Sequence, residues 1–194
     1  MCIRDRGISN VNLYVLYPHE RISQIQRKQM TTSNAKNVKV FAVQGTFDDC
    51  QLIVKALFAD KALVSDVNLS GVNSINWARI LVQIIYYFSA FYQLKDLSAG
   101  NLSFSVPTGN FGDAYAGYIS KRMGLPINKI IVATNKNDIL DRVFKTGVYK
   151  SDNVSKTLSP SMDIQVASNF ERLLFDLLNN DTKEVRKLMN NLSN

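Results

Sequence analysis

The sequence predicts an α/β protein whose strands run parallel in a three-layer arrangement. Short β-rich runs alternate along the chain with longer helical patterns, which is typical of βαβ units. Right-handed crossovers between parallel strands place helices on both faces of a sheet, so three layers are expected. With 194 residues, of which 46% are hydrophobic and 20% charged, the chain is expected to bury a core without disulfides or metal.

Four short runs have the composition of strands. They are apolar and rich in β-branched or aromatic residues, and turn residues such as Pro18 and Gly45 follow them closely. The predicted strands are residues 12–17, 38–43, 102–106 and 129–133. Ligands of parallel sheets bind at the carboxyl ends of the strands, so the turns after these runs are the first candidates for a site.

Helical patterns fill the intervals between the strands. Residues 48–59 begin with two acidic residues, which the helix dipole favours, and residues 74–94 are apolar on most sides, which predicts a buried helix. Residues 60–73 are mixed, with a short apolar piece before a turn-rich stretch. The other predicted helices are residues 22–32, 113–123, 138–146, 169–178 and 182–192, and residues 147–163 are predicted to form a long surface loop.

Composition argues against several classes of protein. The net charge is +7, but the basic residues are scattered, which does not favour a nucleic-acid partner over an anionic small molecule. No apolar run is long enough to span a membrane. One histidine and two cysteines, Cys2 and Cys50, fit neither a zinc site nor a disulfide framework, so a reducing, cytoplasmic location is expected. Residues 1–6 are charged and without periodicity, and are interpreted as a leader foreign to the fold.

The strongest candidate site is the turn that joins the strand 102–106 to the helix 113–123. Glycines at 109 and 112 allow a close approach of the backbone to a ligand. Backbone N–H groups in such a turn, together with the following helix N-terminus, favour an anion such as phosphate. The carboxylate of Asp113 opposes an anion, and by pattern alone a structural turn without a ligand is an equally good interpretation.

Two further segments carry polar residues in suggestive positions. Asn76 and Arg79 share a helix face, and an arginine near a helix N-terminus can bind phosphate in a bidentate way. The alternative is that Arg79 merely reaches solvent from a buried helix. Asn135 and Asp138, after the last predicted strand, fit either a site loop or a helix cap.

Taken together, ordered motifs along the chain resemble the threonine synthase family. The strongest is Ser-Val-Pro-Thr-Gly-Asn-Phe-Gly-Asp at 105–113. Other matching segments, in the same order, are residues 15–18, 44–48, 73–76 with Arg79, 86–88, 116–117, 123–126, 133–135 with 137–138, and 159–163. The resemblance covers about residues 8–194 and implies the fold type II architecture of pyridoxal-phosphate enzymes, here incomplete.

The resemblance also implies roles for individual residues. The loop that holds the phosphate of the cofactor, pyridoxal 5'-phosphate, is matched by Gly109, Asn110, Phe111, Gly112 and Asp113. A segment that faces the substrate phosphate is matched by Asn73, Ser74, Asn76 and Arg79. The implied reaction converts O-phospho-L-homoserine and water to L-threonine and phosphate. No role is implied for Asn135 or Asp138, and no nucleic acid or membrane partner is expected.

One family feature has no counterpart in the sequence. The family carries its Schiff-base lysine in a Phe-Lys-Asp motif, and the nearest echo, Phe144-Lys145-Thr146, lies in the wrong segment. The chain is therefore interpreted as the central part of such an enzyme, covering residues 7–194 and inactive by itself, since the chemistry needs the lysine. The alternatives are another lyase of the same fold class, similar to a dehydratase or a cysteine synthase, and a non-catalytic phosphate-binding module.

Overall fold

Two pairs of parallel strands organise the chain into two structural units. A computed structural model describes residues 7–98 and 102–191. The first unit runs up to Gly71 and includes Lys156–Ile164, and the second comprises Val72–Ser155 and the chain from Gln165 onward.

The first unit contains one strand pair with its helices. Strand β1 (Leu13–Pro18) pairs in parallel with β2 (Val38–Val43), so that Leu13 lies opposite Val38 and Pro18 opposite Val43. The helices of this unit are α1 (Gln24–Thr31), α2 (Phe47–Ala59) and α3 (Lys61–Asp66), and a 3₁₀ turn lies at Pro160–Met162.

Side-chain caps define where the helices of the first unit begin. Ser23 and Gln26 form a capping box at the start of α1, and Thr46 and Asp49 form one at the start of α2. In the second box the Asp49 carboxylate accepts from the Thr46 backbone N–H at 2.6 Å and from its hydroxyl at 2.9 Å. These hydrogen bonds to the charged form hold the pKa of Asp49 below its usual range.

The second unit surrounds the other strand pair. Strand β3 (Leu102–Pro107) pairs in parallel with β4 (Ile127–Ala133), with an irregularity in register between Leu102 and Phe104. The helices of this unit are α4 (Trp77–Ser98), α5 (Gly112–Arg122), α6 (Ile139–Thr146), α7 (Phe170–Leu177) and α8 (Thr182–Asn191).

Helix α5 lies at the centre of the core of the second unit. Ala114 and Ala116 are almost completely buried on it, and they pack with buried residues of α4, α6 and α7 such as Ile80 and Leu140. Gly117 permits the close approach of α4, because a Cβ at this position would lie 2.7 Å from two ring carbons of Tyr87. The position of α5, and hence of the turn that precedes it, is therefore fixed by packing on several sides.

The structure confirms the four predicted strands and most predicted helices within a few residues. It differs in the sheet, because the described strands form two separate pairs rather than one sheet. Helix α3 lies in the segment predicted to be mixed, and Asp60 caps it through the N–H groups of Ala62 and Leu63. The interpretation of residues 1–6 as a leader lies outside the described residues.

Helix α4 is only partly buried, so the prediction of a helix enclosed by protein is wrong for one of its sides. Ile80, Ile84 and Tyr87 are buried. Several large apolar residues of the same helix are exposed, namely Leu81, Val82, Ile85, Tyr86 and Tyr92. Across residues 7–98 and 102–191, no helix is both long and apolar enough to cross a bilayer.

Candidate functional site

The turn between β3 and α5 lines a cavity in the second unit. The cavity has a volume of about 160 Å³. Its lining residues come from the turn and from the beginning of α4, and they are Ser74, Arg79, Gln83, Pro107, Thr108, Gly109, Asn110, Phe111, Gly112 and Asp113. Pockets for whole ligands are usually about 300–1,000 Å³, so this one suits small anionic groups better than a complete cofactor.

Local hydrogen bonds fix the path of the chain into this turn. The backbone N–H of Thr108 donates to the Ala133 carbonyl at 2.7 Å, which ties the end of β3 to the end of β4. The Thr108 hydroxyl donates to the Val106 carbonyl at 2.6 Å. Both strands therefore end at the same edge as the cavity, where parallel sheets place their ligands.

Phe111 gives the turn its shape. It is the N-cap residue of α5 and has left-handed backbone angles, with φ 64° and ψ 5°. This conformation costs a non-glycine residue about 1–2 kcal/mol. The ring of Phe111 is buried, with its centroid 6.1 Å from that of Phe144 and 5.7 Å from that of Phe170. Burial of a phenylalanine is worth about 1.5–3 kcal/mol, which is enough to offset the backbone cost.

The N-terminus of α5 directs backbone donors at the cavity. The first N–H groups of a helix have no acceptor within the helix, and they carry its partial positive charge. Within the described part of the chain, no side chain caps this end of α5. The first helical residue is Gly112. A Cβ at this position would lie 3.4 Å from the Asn169 amide nitrogen, which is an ordinary contact distance. The turn thus presents backbone rather than side chains, as anion sites do.

The two charged residues at the cavity have opposite signs. The Arg79 side chain is exposed, and one of its guanidinium nitrogens donates to the Val72 carbonyl at 3.3 Å. Asp113 is half-buried, and its Oδ1 atom is a buried oxygen without a hydrogen-bond partner. Burial raises the pKa of the Asp113 carboxyl, an effect that the neighbouring Tyr87 hydroxyl, which donates to the Asp113 backbone carbonyl at 2.9 Å, partly opposes. The ionised carboxylate is thus less favourable here than in water.

The structure brings most of the predicted site residues together. Ser74 and Arg79, about thirty residues before the turn, line the same cavity as residues 109–113. Asn73 and Asn76 are not among its lining residues. The Asn73 side chain accepts from the Ile75 N–H at 3.2 Å and that of Asn76 from the Ala78 N–H at 2.9 Å, so both shape the entry into α4.

The side chains of Asn135 and Asp138, after β4, make local structural contacts. The Asn135 side chain accepts from the Asn137 N–H at 2.8 Å, and Asp138 accepts from Arg142 at 2.8 Å.

Cys50 is buried, and burial followed by the charge of Asp49 raises the pKa of its thiol to about 11, which makes it a poor nucleophile.

Sequence reasoning did not single out Gln83, Asn169 or Arg172. Gln83 lines the cavity one helical turn after Arg79, a spacing that could have indicated it. Asn169 and Arg172 contact the walls of the cavity from the beginning of α7. No local pattern marks them, because their partners lie about 60–100 residues away in sequence.

Comparisons with known proteins agree with this fold. No protein-family model matches the chain. A threonine synthase from Pseudomonas aeruginosa is 52% identical over 184 residues, which are 95% of this chain and 39% of the relative. A threonine synthase from Saccharomyces cerevisiae is 52% identical over 193 residues, covering 96% of this chain and 38% of the relative.

Solved structures lead to the same group. A PLP-bound threonine synthase from Brucella melitensis superposes with a TM-score of 0.81 at 50% identity, covering 97% of this chain and 40% of the other. The threonine synthase from Escherichia coli gives a TM-score of 0.84 at 40% identity, with 89% of this chain and 41% of the other covered.

The fold is thus that of a part of the fold type II pyridoxal-phosphate enzymes, with mixed α/β structure and parallel strands. Within that class the chain is similar in sequence and fold to one portion of the threonine synthases. It spans about two fifths of the length of the curated relatives that it matches.

Proposed function

We propose that the chain supplies the phosphate-binding part of a threonine synthase, which converts O-phospho-L-homoserine and water to L-threonine and phosphate. The observation that carries the proposal is the cavity at the start of α5, where a glycine-containing turn and an uncapped helix N-terminus meet Ser74 and Arg79. The similarity to threonine synthases at about 50% identity supports the choice of reaction.

The residues of the turn fit the phosphate group of pyridoxal 5'-phosphate. The fit rests on Gly112, where the absence of a side chain keeps the helix N-terminus accessible, and on the turn that Phe111 maintains. We assign the cofactor phosphate to the backbone of residues 109–113. When bound, the cofactor supplies the electron sink that allows protons to be removed from Cα and Cβ of the substrate. The small cavity would hold only the phosphate group of this cofactor.

Arg79 and Ser74 are assigned to the phosphate of the substrate. Arg79 is exposed and lines the cavity, so its guanidinium can receive an anion without the cost of burying a charge. Asn73 and Asn76 would act indirectly, because their side chains hold the backbone on which Ser74 and Arg79 are placed. In the overall reaction phosphate leaves from Cγ of the substrate and water adds at Cβ.

A chimaera tests the proposal. Residues 8–191 would replace the matching segment of the Pseudomonas aeruginosa enzyme, and release of phosphate from O-phosphohomoserine would be measured. We expect a chimaera that retains cofactor and releases phosphate, and Arg79→Ala in it should raise KM for the phosphorylated substrate. A folded chimaera that holds cofactor but releases no phosphate would contradict the assigned reaction.

The isolated chain provides a second measurement. We expect it to bind pyridoxal phosphate more tightly than pyridoxal, which lacks the phosphate, and to show no turnover, because the family's lysine motif has no match in the sequence. Equal affinity for the two compounds would contradict the assignment of residues 109–113. We place the action of the enzyme in the cytoplasm.

A further inference from the structure

One fully buried side chain joins the two walls of the cavity without lining it. Asn169 has 0% of its surface exposed and precedes α7. Its amide nitrogen donates to the carbonyl of Ser74 at 2.9 Å and to that of Asn110 at 3.0 Å. Its backbone N–H also donates to the Asn110 carbonyl, at 3.0 Å. Ser74 lies just before α4 and Asn110 lies in the turn before α5. A single amide group therefore connects the two segments that line the cavity.

Arg172 fixes the orientation of this amide. Its Nε donates to the Asn169 side-chain oxygen at 3.0 Å, which leaves the amide nitrogen facing the two carbonyls. Its Nη2 donates to the Ile75 carbonyl at 2.8 Å, and the guanidinium lies 5.4 Å from the centre of the Trp77 ring. Arg172 therefore holds the beginning of α4 and the orientation of Asn169 at the same time.

Ser168 adds a contact to the same loop. Its hydroxyl donates to the side-chain oxygen of Asn110 at 3.1 Å. The start of α7 thus holds Asn110 by both backbone and side chain. Breaking a partly buried hydrogen bond of this kind is costly, because it leaves an oxygen acceptor without its partner.

We propose that Asn169 is a positioning residue that sets the spacing between the Ser74–Arg79 segment and the turn at residues 109–112, with Arg172 holding it in orientation. The inference rests on the proposed function, since it assumes that the cavity binds phosphate. Both N–H bonds of the Asn169 amide are directed at cavity walls, so it acts on a bound anion through these walls rather than by contact.

The test uses Asn169→Asp in the full chain. Aspartate has the shape of asparagine and keeps the acceptor for Arg172, but it places an oxygen where the donor faced the Ser74 and Asn110 carbonyls. We expect the dissociation constant for inorganic phosphate to rise at least tenfold. We also expect faster amide hydrogen exchange at residues 110–112 and at Ser74 without any ligand. Arg172→Lys keeps the charge but loses the two-point contact with Asn169 and Ile75, and it should weaken phosphate binding about threefold. This variant tests the inference if Asn169→Asp does not fold.

Asn137→Asp is the matched control. Asn137 is also buried, in the same unit, and its amide donates to the Asn135 side chain at 3.1 Å and to the Ser155 carbonyl at 2.8 Å, but it does not line the cavity. We expect it to lower thermal stability with phosphate affinity unchanged. Equal losses of affinity in both variants, or a folded Asn169→Asp chain with unchanged affinity, would overturn the inference.

The exchange measurement separates this inference from the proposed function. If the unaltered chain binds no phosphate, the proposed function fails. Faster exchange confined to the two walls would still support the positioning role of Asn169. If phosphate binds but exchange at residues 110–112 is the same in the unaltered chain and in Asn169→Asp, the positioning role fails alone.

Discussion

Gly112→Asp would place a carboxylate at the N-terminus of α5. Gly112 is the first residue of that helix, so the substitution requires no unusual backbone conformation. A Cβ at this position would lie 3.4 Å from the Asn169 amide nitrogen and 3.6 Å from the Gln83 side-chain oxygen, which are tolerable contacts. The main effect is therefore expected to be the charge rather than a steric clash.

The size of this effect follows from Coulomb's law. An anion bound by the N–H groups of residues 110–112 would lie roughly 5 Å from the new carboxylate. At an effective dielectric constant of about 20, two like charges at that distance repel by about 3 kcal/mol. Since about 1.4 kcal/mol corresponds to a factor of ten, the affinity for phosphate or pyridoxal phosphate should fall by about 100-fold.

The assay is titration calorimetry with pyridoxal phosphate, at low ionic strength and again at high ionic strength. Gly112→Asn is the control, because it has nearly the same shape without the charge and should lose less than about fivefold. Salt should reduce the difference between the two variants, since it screens the repulsion. Equal losses for both variants would refute the electrostatic reasoning, and unchanged binding in Gly112→Asp would refute the anion site.

Three further predictions concern stability. Gly117→Ala should destabilise the second unit by about 1–3 kcal/mol in urea unfolding, because its Cβ would lie 2.7 Å from ring carbons of Tyr87. Asp113→Asn should stabilise the chain near neutral pH in the same assay. Burial raises the pKa of Asp113 in the folded chain above its ordinary 3.8. The free energy of unfolding of the unaltered chain therefore falls as pH rises from 3.8 through the pKa of the folded state. The stabilisation by Asp113→Asn should vanish at pH values below 3.8, where the carboxyl is protonated in both states. Thr46→Ala should lower the stability of the first unit by about 1 kcal/mol in thermal unfolding, because the Asp49 N–H loses its cap.

Each of these predictions has a control within the chain. Combining Gly117→Ala with Tyr87→Leu should recover part of the loss, and strictly additive effects would argue against the contact. A gain from Asp113→Asn that persists unchanged at pH 3 would exclude ionisation as its cause. Thr46→Ser should retain the cap, so a serine variant as unstable as the alanine one would show that the hydroxyl is not responsible.

The local features of this fold were predictable because the sequence encodes them locally. Strand β2 is a mainly apolar run with valines at 38, 40 and 43, bounded by turn residues, and α5 begins after a glycine turn and ends before Gly124 and Pro126. The cavity turn at residues 109–113 was identified for the same reason, since glycine spacing and a following helix are visible within a few residues. The family resemblance then joined it to Ser74 and Arg79.

Features that depend on distant contacts were not predictable in this way. Nothing in the sequence near Asn169 indicates that its amide meets Ser74 and Asn110, which lie 95 and 59 residues away. The division of the strands into two pairs is likewise a matter of pairing between distant segments, whereas each strand by itself has the same signal in either arrangement. The exposed apolar face of α4 escaped prediction because hydropathy reports what a residue prefers, not what surrounds it.

The left-handed residue Phe111 has a consequence for the thermodynamics of binding. Its aromatic contacts with Phe144 and Phe170 hold the turn in shape through the hydrophobic core. If the turn binds an anion as proposed, the anion would meet donors that are already arranged, and little conformational entropy would be lost on binding. The affinity of this site for an anion would therefore depend on packing in the hydrophobic core. A substitution that loosens the ring, such as Phe170→Ala, should weaken anion binding mainly through a less favourable entropy.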